Sequence, residues 1–386
     1  ENFLLMNEYR QAFRNGFLIV DTSYTKGYKN TTNTKLPGGR SHLFSKLILD
    51  FSQDKYSSNL EANYQHVSNG TYLKVHDIDT ELVDKEENIL KSDINYEFQD
   101  KEIFLGMSAS MFEDTSIVDR SRYEYILPNI AFERNIFSDE KLGLIDIYSN
   151  AFVRNYKVNQ FTKMFINDFN WKSKQFSNAS GLKTNFEGLL KVVNYEADNA
   201  DKYKVDGLTT EASTVLAFNT ELPLVKESKE KDKISLLIPK FTLRSAPNQM
   251  RDISDDDLRL SYSNLFSLNK NSQVDVIERG TSATLGLEIS NNDFENNTPG
   301  PKNYSLSVGQ IYNLDKNENV PQRSSLDQQV SDLVGEAFVK ISDNLTLKNK
   351  FNLDNNIKDV HYQDFGANLI LGNTDFNIKY LEESSH

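Results

Sequence analysis

The chain has 386 residues, a formal net charge of −13 and a sequence pI near 5.0, so a general nucleic-acid-binding protein is not expected. Its mean hydropathy is −0.57, and no run approaches the roughly 18 consecutive apolar residues that a transmembrane helix needs. The absence of cysteine excludes disulfides and thiolate metal sites, and it leaves the cellular compartment open.

Alternation between apolar and polar residues, the pattern typical of half-buried β-strands, recurs along the whole chain. No segment keeps the 3.6-residue period of an amphipathic helix. We therefore predict an all-β protein with about 19 strands. In chain order, the clearest predicted strands are 43–51, 90–98, 103–111, 143–156, 161–172, 185–197, 213–222, 234–244, 258–266, 281–290, 304–314, 334–341, 345–353, 365–372 and 376–381.

The predicted strands are long, and many of them reach 9 to 13 residues. Strands of soluble proteins centre on about 5 to 6 residues. A strand of about 10 residues, tilted near 45°, spans about 23 Å, which matches the apolar band of an outer-membrane barrel, about 25 Å tall. Such a barrel also fits the low hydropathy, because its lipid face uses only every second residue of each strand.

Short and long connections between the predicted strands tend to alternate, as they do in outer-membrane barrels. The short ones include 99–102, 138–141 and 372–375, and the long ones include 25–41, 66–88, 198–211, 246–257 and 290–303. The alternation fails where 290–303 and 315–333 are both long. The pattern predicts an antiparallel transmembrane β-barrel of the large outer-membrane type. A soluble β-sandwich remains an alternative, because its strands alternate as well.

The run 281–290 alternates most regularly. In a barrel wall one set of its side chains would meet lipid and the other would line a wet interior. The lipid-facing set is Ala283, Leu285, Leu287 and Ile289. The residues predicted to line the interior, against a partner or a substrate, are Glu278, Arg279, Thr284, Glu288 and Gln310. The preceding run 264–280 is predicted to contain a hairpin turn.

The sequence carries no recognisable catalytic or metal-binding motif, so we expect neither an enzyme nor a cofactor. None of the histidines is spaced like a metal-ligand pair, and we predict that each is a surface or loop residue. They are His42, His66, His76, His361 and His386. The acidic run 252–257 could hold a divalent cation beside phosphorylated lipid, but a solvated loop is the simpler interpretation because the EF-hand spacing is missing.

Short pieces in the second half of the chain follow one another in a recognisable order: "NLF", an Asp three residues before a Glu, "GT", "VGQIY" and "SDLVG". Their main residues are Asn264, Leu265, Phe266, Asp275, Gly280, Thr281, Gly309, Asp332 and Gly335. No single piece is specific, but their order and spacing resemble the LptD family of lipopolysaccharide-assembly outer-membrane proteins. The resemblance is strongest over 236–380, with looser matches at 71–74, 126–130 and 238–248.

This resemblance implies transport of lipopolysaccharide from the periplasm to the outer leaflet of the Gram-negative outer membrane. It also implies an LptE-like plug lipoprotein in the barrel lumen and an LptA-like periplasmic bridge that docks on an N-terminal domain. Compared with the family, residues 1–386 would be one partial barrel domain without the N-terminal jelly roll and the terminal strands. The lateral gate, which those strands form in the family, would then lie outside this sequence.

Two other functions stay open at this point. A porin or a TonB-dependent uptake barrel would share the strands, and it would be supported by a constriction loop or an N-terminal plug. A soluble β-rich binding or adhesion protein would share the alternation, and it would be soluble without detergent.

Overall fold

The computed structural model describes residues 3–28, 37–117, 120–156, 160–204, 207–228, 233–271, 273–295, 298–372 and 374–384. β-Strand is the main secondary structure of these residues, and no helix among them is long and apolar enough to cross a lipid bilayer. In chain order the elements are β1 (Leu4–Phe13), β2 (Gly16–Tyr28), β3 (Pro37–Asp50), β4 (Ser57–Val67), α1 (Tyr72–His76), β5 (Ile89–Gln99), β6 (Ile103–Asp114), β7 (Tyr123–Asp139), β8 (Gly143–Tyr156), β9 (Gln160–Lys172), β10 (Phe176–Ser177), β11 (Lys183–Asp198), β12 (Thr209–Glu221), β13 (Leu224–Ser228), β14 (Lys233–Ala246), β15 (Gly280–Glu295), β16 (Thr298–Asn313), β17 (Leu333–Ser342), β18 (Leu345–Leu353), β19 (Val360–Leu371) and β20 (Thr374–Glu383).

Within the described parts of the chain, the strands belong to one antiparallel sheet of 20 strands, which is not closed there. Many strands are long: β7 has 17 residues, and β11, β15 and β16 have 16 each. The predicted all-β class with long antiparallel strands is confirmed, and the predicted number of about 19 strands compares with 20 in the structure.

Aspartate side chains close two of the predicted short turns. The Asp100 carboxylate accepts hydrogen bonds from the backbone N–H groups of Glu102 and Ile103, both at 2.8 Å, between β5 and β6. Asp139 does the same for residues 141 and 142 between β7 and β8, at 2.8 and 2.9 Å. Such local side-chain bonds replace the ladder bonds that the strands lose at a turn.

The chain divides into two compact units, of which the first comprises Glu1–Ile136, Asp146–Asp168 and Val192–Glu211. Here the connection 68–88, which includes α1, folds back over one face of β3, β4 and β5. Its apolar side chains form a small buried core with those of the strands. The core consists of Phe44, Val67, Tyr72, Leu73, Ile78, Val83 and Leu90.

The second unit comprises Phe137–Ile145, Phe169–Lys191 and Ala212–His386. Two long connections, 247–279 after β14 and 314–332 after β16, pack on one face of its strands. We call them the 247–279 segment and the 314–332 segment. Their common core consists of Ile253, Leu258, Leu260, Tyr262, Leu265, Val276, Ile311, Val320, Leu326 and Val334. The two segments therefore have a core of their own instead of extending into solvent.

Three predicted elements differ from the structure. The run 258–266 is not a strand, because its alternating apolar side chains pack into the core of the 247–279 segment without ladder bonds. For the same reason the run 264–280 is not a hairpin turn. Most of the predicted loop 290–303 is instead strand, since β15 reaches Glu295 and β16 begins at Thr298. Backbone ladder bonds do not require apolar side chains, so the ladder continues into this polar run. This extension also removes the fault in the alternation of short and long connections.

Candidate functional site

Strands β14 to β17 present two chemically different faces. Thr284 of β15 lies opposite Thr242 of β14 and Ile311 of β16, so these side chains share one face, which we call the polar face. The opposite, apolar face carries Leu285 and is rich in exposed large side chains. These are Leu237, Leu243, Leu285, Tyr304, Leu306, Tyr312 and Val339. The two sets predicted for 281–290 do lie on opposite faces, and an apolar face of this extent requires a lipid or protein neighbour.

Gln310 does not lie on the face that we predicted. It pairs with Leu285 and therefore points to the apolar face, away from Thr284. Its amide donates to the carbonyl of Ser331 at 2.8 Å and accepts from the Tyr312 hydroxyl at 3.1 Å. Leu306, Val308 and Tyr312 occupy every second position of β16 together with Gln310. This alternation in the sequence already indicates that residue 310 lies on the apolar face.

Thr284 and Glu288 both lie on the polar face of β15. Thr284 is only 1% exposed. The Glu288 carboxylate accepts a hydrogen bond from the Tyr262 hydroxyl at 3.0 Å and forms an ion pair with Lys240. Whether either side chain contacts a plug or a substrate stays a prediction.

Two glycines on the polar face form a notch that receives the 247–279 segment. Gly286 of β15 and Gly309 of β16 are direct partners across the strands. A Cβ on Gly286 would come within 2.5 Å of the Phe266 ring, and Leu265 packs over Gly309 in the same way. The absence of side chains at these two positions makes room for two side chains of the segment.

The side chain of Asn264 stabilises the turn that precedes Leu265 and Phe266. Its side-chain oxygen accepts a hydrogen bond from the backbone of Ser261 at 2.8 Å, and its NH₂ donates to the carbonyl of Arg259 at 3.0 Å. These bonds close a turn that presents Leu265 and Phe266 to the notch. The piece "NLF" is thus one structural unit.

A buried charge cluster fixes the end of the same segment. Lys270 Nζ lies 3.0 Å from a carboxylate oxygen of Glu278, and Arg244 of β14 approaches that carboxylate at 3.5 Å. Arg244 also donates to the backbone carbonyls of Leu268 at 2.6 Å and Glu278 at 2.8 Å. The segment is therefore attached to β14 by its backbone as well as by charge.

Burial and charge act in opposite directions on this pair. Burial lowers the pKa of Lys270 to about 8, although Glu278 favours its charged form. Burial raises the pKa of Glu278, but the positive charges of Lys270 and Arg244 outweigh that effect and lower it overall. Glu278 is thus engaged within the protein, and its predicted contact with a plug or substrate stays untested.

The other predicted positions around this segment have separate structural roles. Asp275 accepts a charged hydrogen bond from Arg251 at 2.7 Å. Gly280 has φ +130°, which favours glycine where the segment enters β15. The Thr281 and Ser245 hydroxyls lie 3.0 Å apart. Arg279 has an exposed side chain, in agreement with a position near the strand end.

Asp332 and Gly335 flank the start of β17. Asp332 is buried, and its carboxylate lies 2.8 Å from Nδ1 of His361 of β19. Gly335 lies on the apolar face, where the Phe351 ring of β18 would come within 2.5 Å of an added Cβ. The ring packs over the backbone of the glycine, so this position stabilises the pairing of β17 and β18.

The acidic run 252–257 lies at the surface of the second unit. Within the described part of the chain, no group of three or more His, Asp or Glu side chains is placed to hold a metal ion. Asp257 forms an ion pair with Arg323 of the 314–332 segment at 2.9 Å. The run therefore contributes at least one contact between the two segments.

A buried Ser–His–Asp group was not foreseen. His42 of β3 lies 2.6 Å from the Ser23 hydroxyl and 3.1 Å from the Asp21 carboxylate, and the Tyr72 hydroxyl of α1 lies 2.8 Å from Ser23. The prediction that His42 is a surface or loop residue is wrong, and His361 is a partly buried strand residue as well. His386 lies outside the described residues. Since Ser23 is 3% exposed, the group holds α1 against the strands and is closed to a substrate.

The sequence singled out Asn264, Leu265 and Phe266 of the 247–279 segment and Gly309 of the notch, but of the anchoring charges it singled out Glu278 alone. Leu265 packs over Gly309, and Asn264 closes the turn that presents Leu265 and Phe266. Lys270 and Arg244 carried no signal in the sequence, because single charged residues are common and their burial depends on the tertiary structure.

Comparison with known proteins assigns the family. A search of curated proteins finds no match. The model of the LptD family, described as "LPS transport system D", matches residues 50–386. This range includes the glycine notch and the segment that fills it. Because the match covers most of the chain, the protein belongs to the LptD family, an outer-membrane family that acts in lipopolysaccharide transport and assembly.

Proposed function

We propose that this chain is the barrel part of a translocon that inserts lipopolysaccharide into the outer leaflet of the Gram-negative outer membrane. The observation that carries the proposal is the pair of unlike faces on β14–β17, in a chain that belongs to the LptD family. Residues 1–386 would be part of one integral barrel domain.

The two faces suit the two parts of an amphipathic cargo. The apolar face contacts the lipid of the membrane, whereas the polar face lines a hydrated interior in which a saccharide can pass. The acyl chains stay at the barrel wall. No bond is made or broken in this transport, so the protein is not an enzyme, and the energy comes from other parts of the transport system.

The polar face also offers a surface for a partner inside the barrel. Beside the glycine notch lies a depression of about 460 Å³. Acidic, basic and amide side chains of the second unit line it, including those of Glu187, Lys240 and Asn219. An LptE-like plug lipoprotein would occupy this interior. An LptA-like periplasmic bridge would deliver the lipopolysaccharide through an N-terminal domain.

Depletion of the protein in its Gram-negative host tests the proposal. Newly made lipopolysaccharide should stop reaching the cell surface, as measured by a surface-restricted antibody, while other outer-membrane barrels remain assembled. A plasmid-borne wild-type copy serves as the control and should restore surface lipopolysaccharide. Unchanged surface lipopolysaccharide together with a loss of small-solute uptake would instead support the porin alternative.

A further inference from the structure

A row of paired residues crosses the polar face of the last strands of the second unit. Ser305 of β16 pairs with Phe338 of β17, which pairs with Lys348 of β18. Lys348 pairs with Gly366 of β19, and Gly366 pairs with Lys379 of β20. Because paired residues point to the same face of a sheet, these side chains share the face of Thr284 and Glu288. We call this row the lysine platform.

The two lysines of the platform are exposed. Among the described residues, neither Lys348 nor Lys379 makes an ion pair or a hydrogen bond through its side chain, although the chain as a whole is acidic. By contrast, nearby Lys340 forms an ion pair with Asp343 at 2.7 Å. Two such charges on one face attract an anion.

The backbone between the lysines is open. A Cβ on Gly366 would have no neighbour within 4 Å. Adjacent strands lie about 4.8 Å apart, so the backbones of Lys348 and Lys379 are about 10 Å apart on either side of this glycine. Both flexible side chains can therefore reach a single group placed above Gly366.

An aromatic ring and hydroxyl groups border the same place. A depression of about 500 Å³ adjoins the platform, and it is lined by Phe338, Lys348, Ser305 and Ser307 among others. This volume is in the range of ligand sites. An aromatic ring packs against the C–H face of a sugar ring, serine hydroxyls bond sugar hydroxyls, and lysines bind phosphate as point charges.

We propose that the lysine platform binds a phosphorylated saccharide on the polar face of β16–β20. The proposal deepens the proposed function, on which it rests, by assigning the residues that hold the anionic sugar part of the cargo. The phosphate lies above Gly366 between Lys348 and Lys379, and a sugar ring packs on Phe338. An acidic loop of a plug protein could also bind between the lysines, but it would not need the Phe338 ring and the serine hydroxyls beside it.

Binding to the purified full chain in detergent tests the platform. The probes are a delipidated, phosphorylated core oligosaccharide, the same oligosaccharide after phosphatase treatment, and lipid A in detergent micelles. The double variant K348Q/K379Q should bind the phosphorylated probe at least about tenfold more weakly, which is about 1.4 kcal/mol. Phe338→Ala should weaken binding of the oligosaccharide with and without phosphate.

The matched control K226Q/K358Q removes two other exposed lysines, one from β13 and one from the turn after β18. It should leave all affinities unchanged. If K348Q/K379Q loses affinity for the oligosaccharide alone, the platform binds the core sugars. If it loses affinity for lipid A alone, the platform binds the lipid headgroup. Unchanged affinity of K348Q/K379Q for both probes overturns the proposal, as does a loss confined to binding of the plug protein.

The outcome is independent of the depletion experiment. If depletion leaves surface lipopolysaccharide unchanged, the proposed function fails whatever the platform binds. If depletion blocks surface lipopolysaccharide and K348Q/K379Q binds like the wild type, only the platform proposal fails.

Discussion

Leu265 lies so close to the backbone of Gly309 that a Cβ on this glycine would come within 2.3 Å of Leu265 Cδ2. The contact joins a strand of the sheet to the 247–279 segment, and it can form only because residue 309 has no side chain. Since Gly309 is paired with Gly286, which receives Phe266, two neighbouring side chains of the segment depend on two neighbouring glycines.

Gly309→Ala should release the segment from the sheet. The added methyl group would collide with Leu265 and with the carbonyl of Leu285, 2.8 Å away, so we expect a loss of about 1–3 kcal/mol. Limited proteolysis should then cut within 247–279 faster than in the wild type. Gly366→Ala is the matched control, because its methyl group meets no neighbour. Equal cleavage rates in both variants would refute the role of the notch.

Glu278→Gln should destabilise the segment more strongly than the loss of an exposed carboxylate. The change leaves the buried charges of Lys270 and Arg244 uncompensated, which costs about 3–5 kcal/mol. Glu196→Gln removes an exposed ion pair with Lys163 and should cost less than about 1 kcal/mol. Denaturant midpoints of the detergent-solubilised variants measure the difference, and similar midpoints would show that the buried cluster is not a main anchor.

The stability of the protein should rise between about pH 8 and the ordinary pKa of lysine, about 10.4. In this window folded Lys270, whose pKa is about 8, has lost a proton that it keeps in the unfolded chain. The unfolded state then binds more protons, so its free energy relative to the folded state increases with pH. Lys270→Met should remove this rise in the denaturant midpoint. A rise of the same size in the variant would assign it to another group.

Single cysteines should distinguish the two faces of β15, and the natural absence of cysteine makes the labelling unambiguous. In native outer membranes, a cysteine at Leu285 should react with a lipid-phase maleimide and one at Glu288 with a water-soluble one. A cysteine at Thr284 should react slowly with both, because this position is buried. Labelling of all three positions from water would contradict the membrane-facing assignment.

Ser23 should not behave as a catalytic nucleophile. Its hydroxyl is buried between His42 and Tyr72, so a fluorophosphonate probe should not label the native protein. Ser23→Ala should leave surface lipopolysaccharide unchanged and cost about 1–3 kcal/mol through the lost hydrogen bonds. Labelling that disappears in Ser23→Ala would instead indicate a hydrolase.

The sequence predicts which face of a strand each side chain occupies where apolar and polar residues alternate strictly. Leu285 and Thr284 were assigned to opposite faces because side chains of a strand alternate across the sheet. The same rule would have placed Gln310 with Leu306 and Tyr312. A single polar residue in an apolar row shares the face of that row, as the pairing of Gln310 with Leu285 shows.

The run 258–266 shows why alternation alone is insufficient. Its apolar residues recur at every second position, as they do in a strand, but they fill a core between two connections and the sheet. The sequence records which residues are buried, whereas the ladder that defines a strand depends on the position of another part of the chain.

The all-β class, the long strands, the family and the pieces that mark it can be predicted from the sequence, because they depend on local periodicity and on order along the chain. The folded structure was needed to show that "NLF" fills a glycine notch, that Lys270, Glu278 and Arg244 share one buried site, and that Lys348 and Lys379 flank Gly366. Each of these relationships joins residues that are distant in sequence, and strand register and burial alone bring them together.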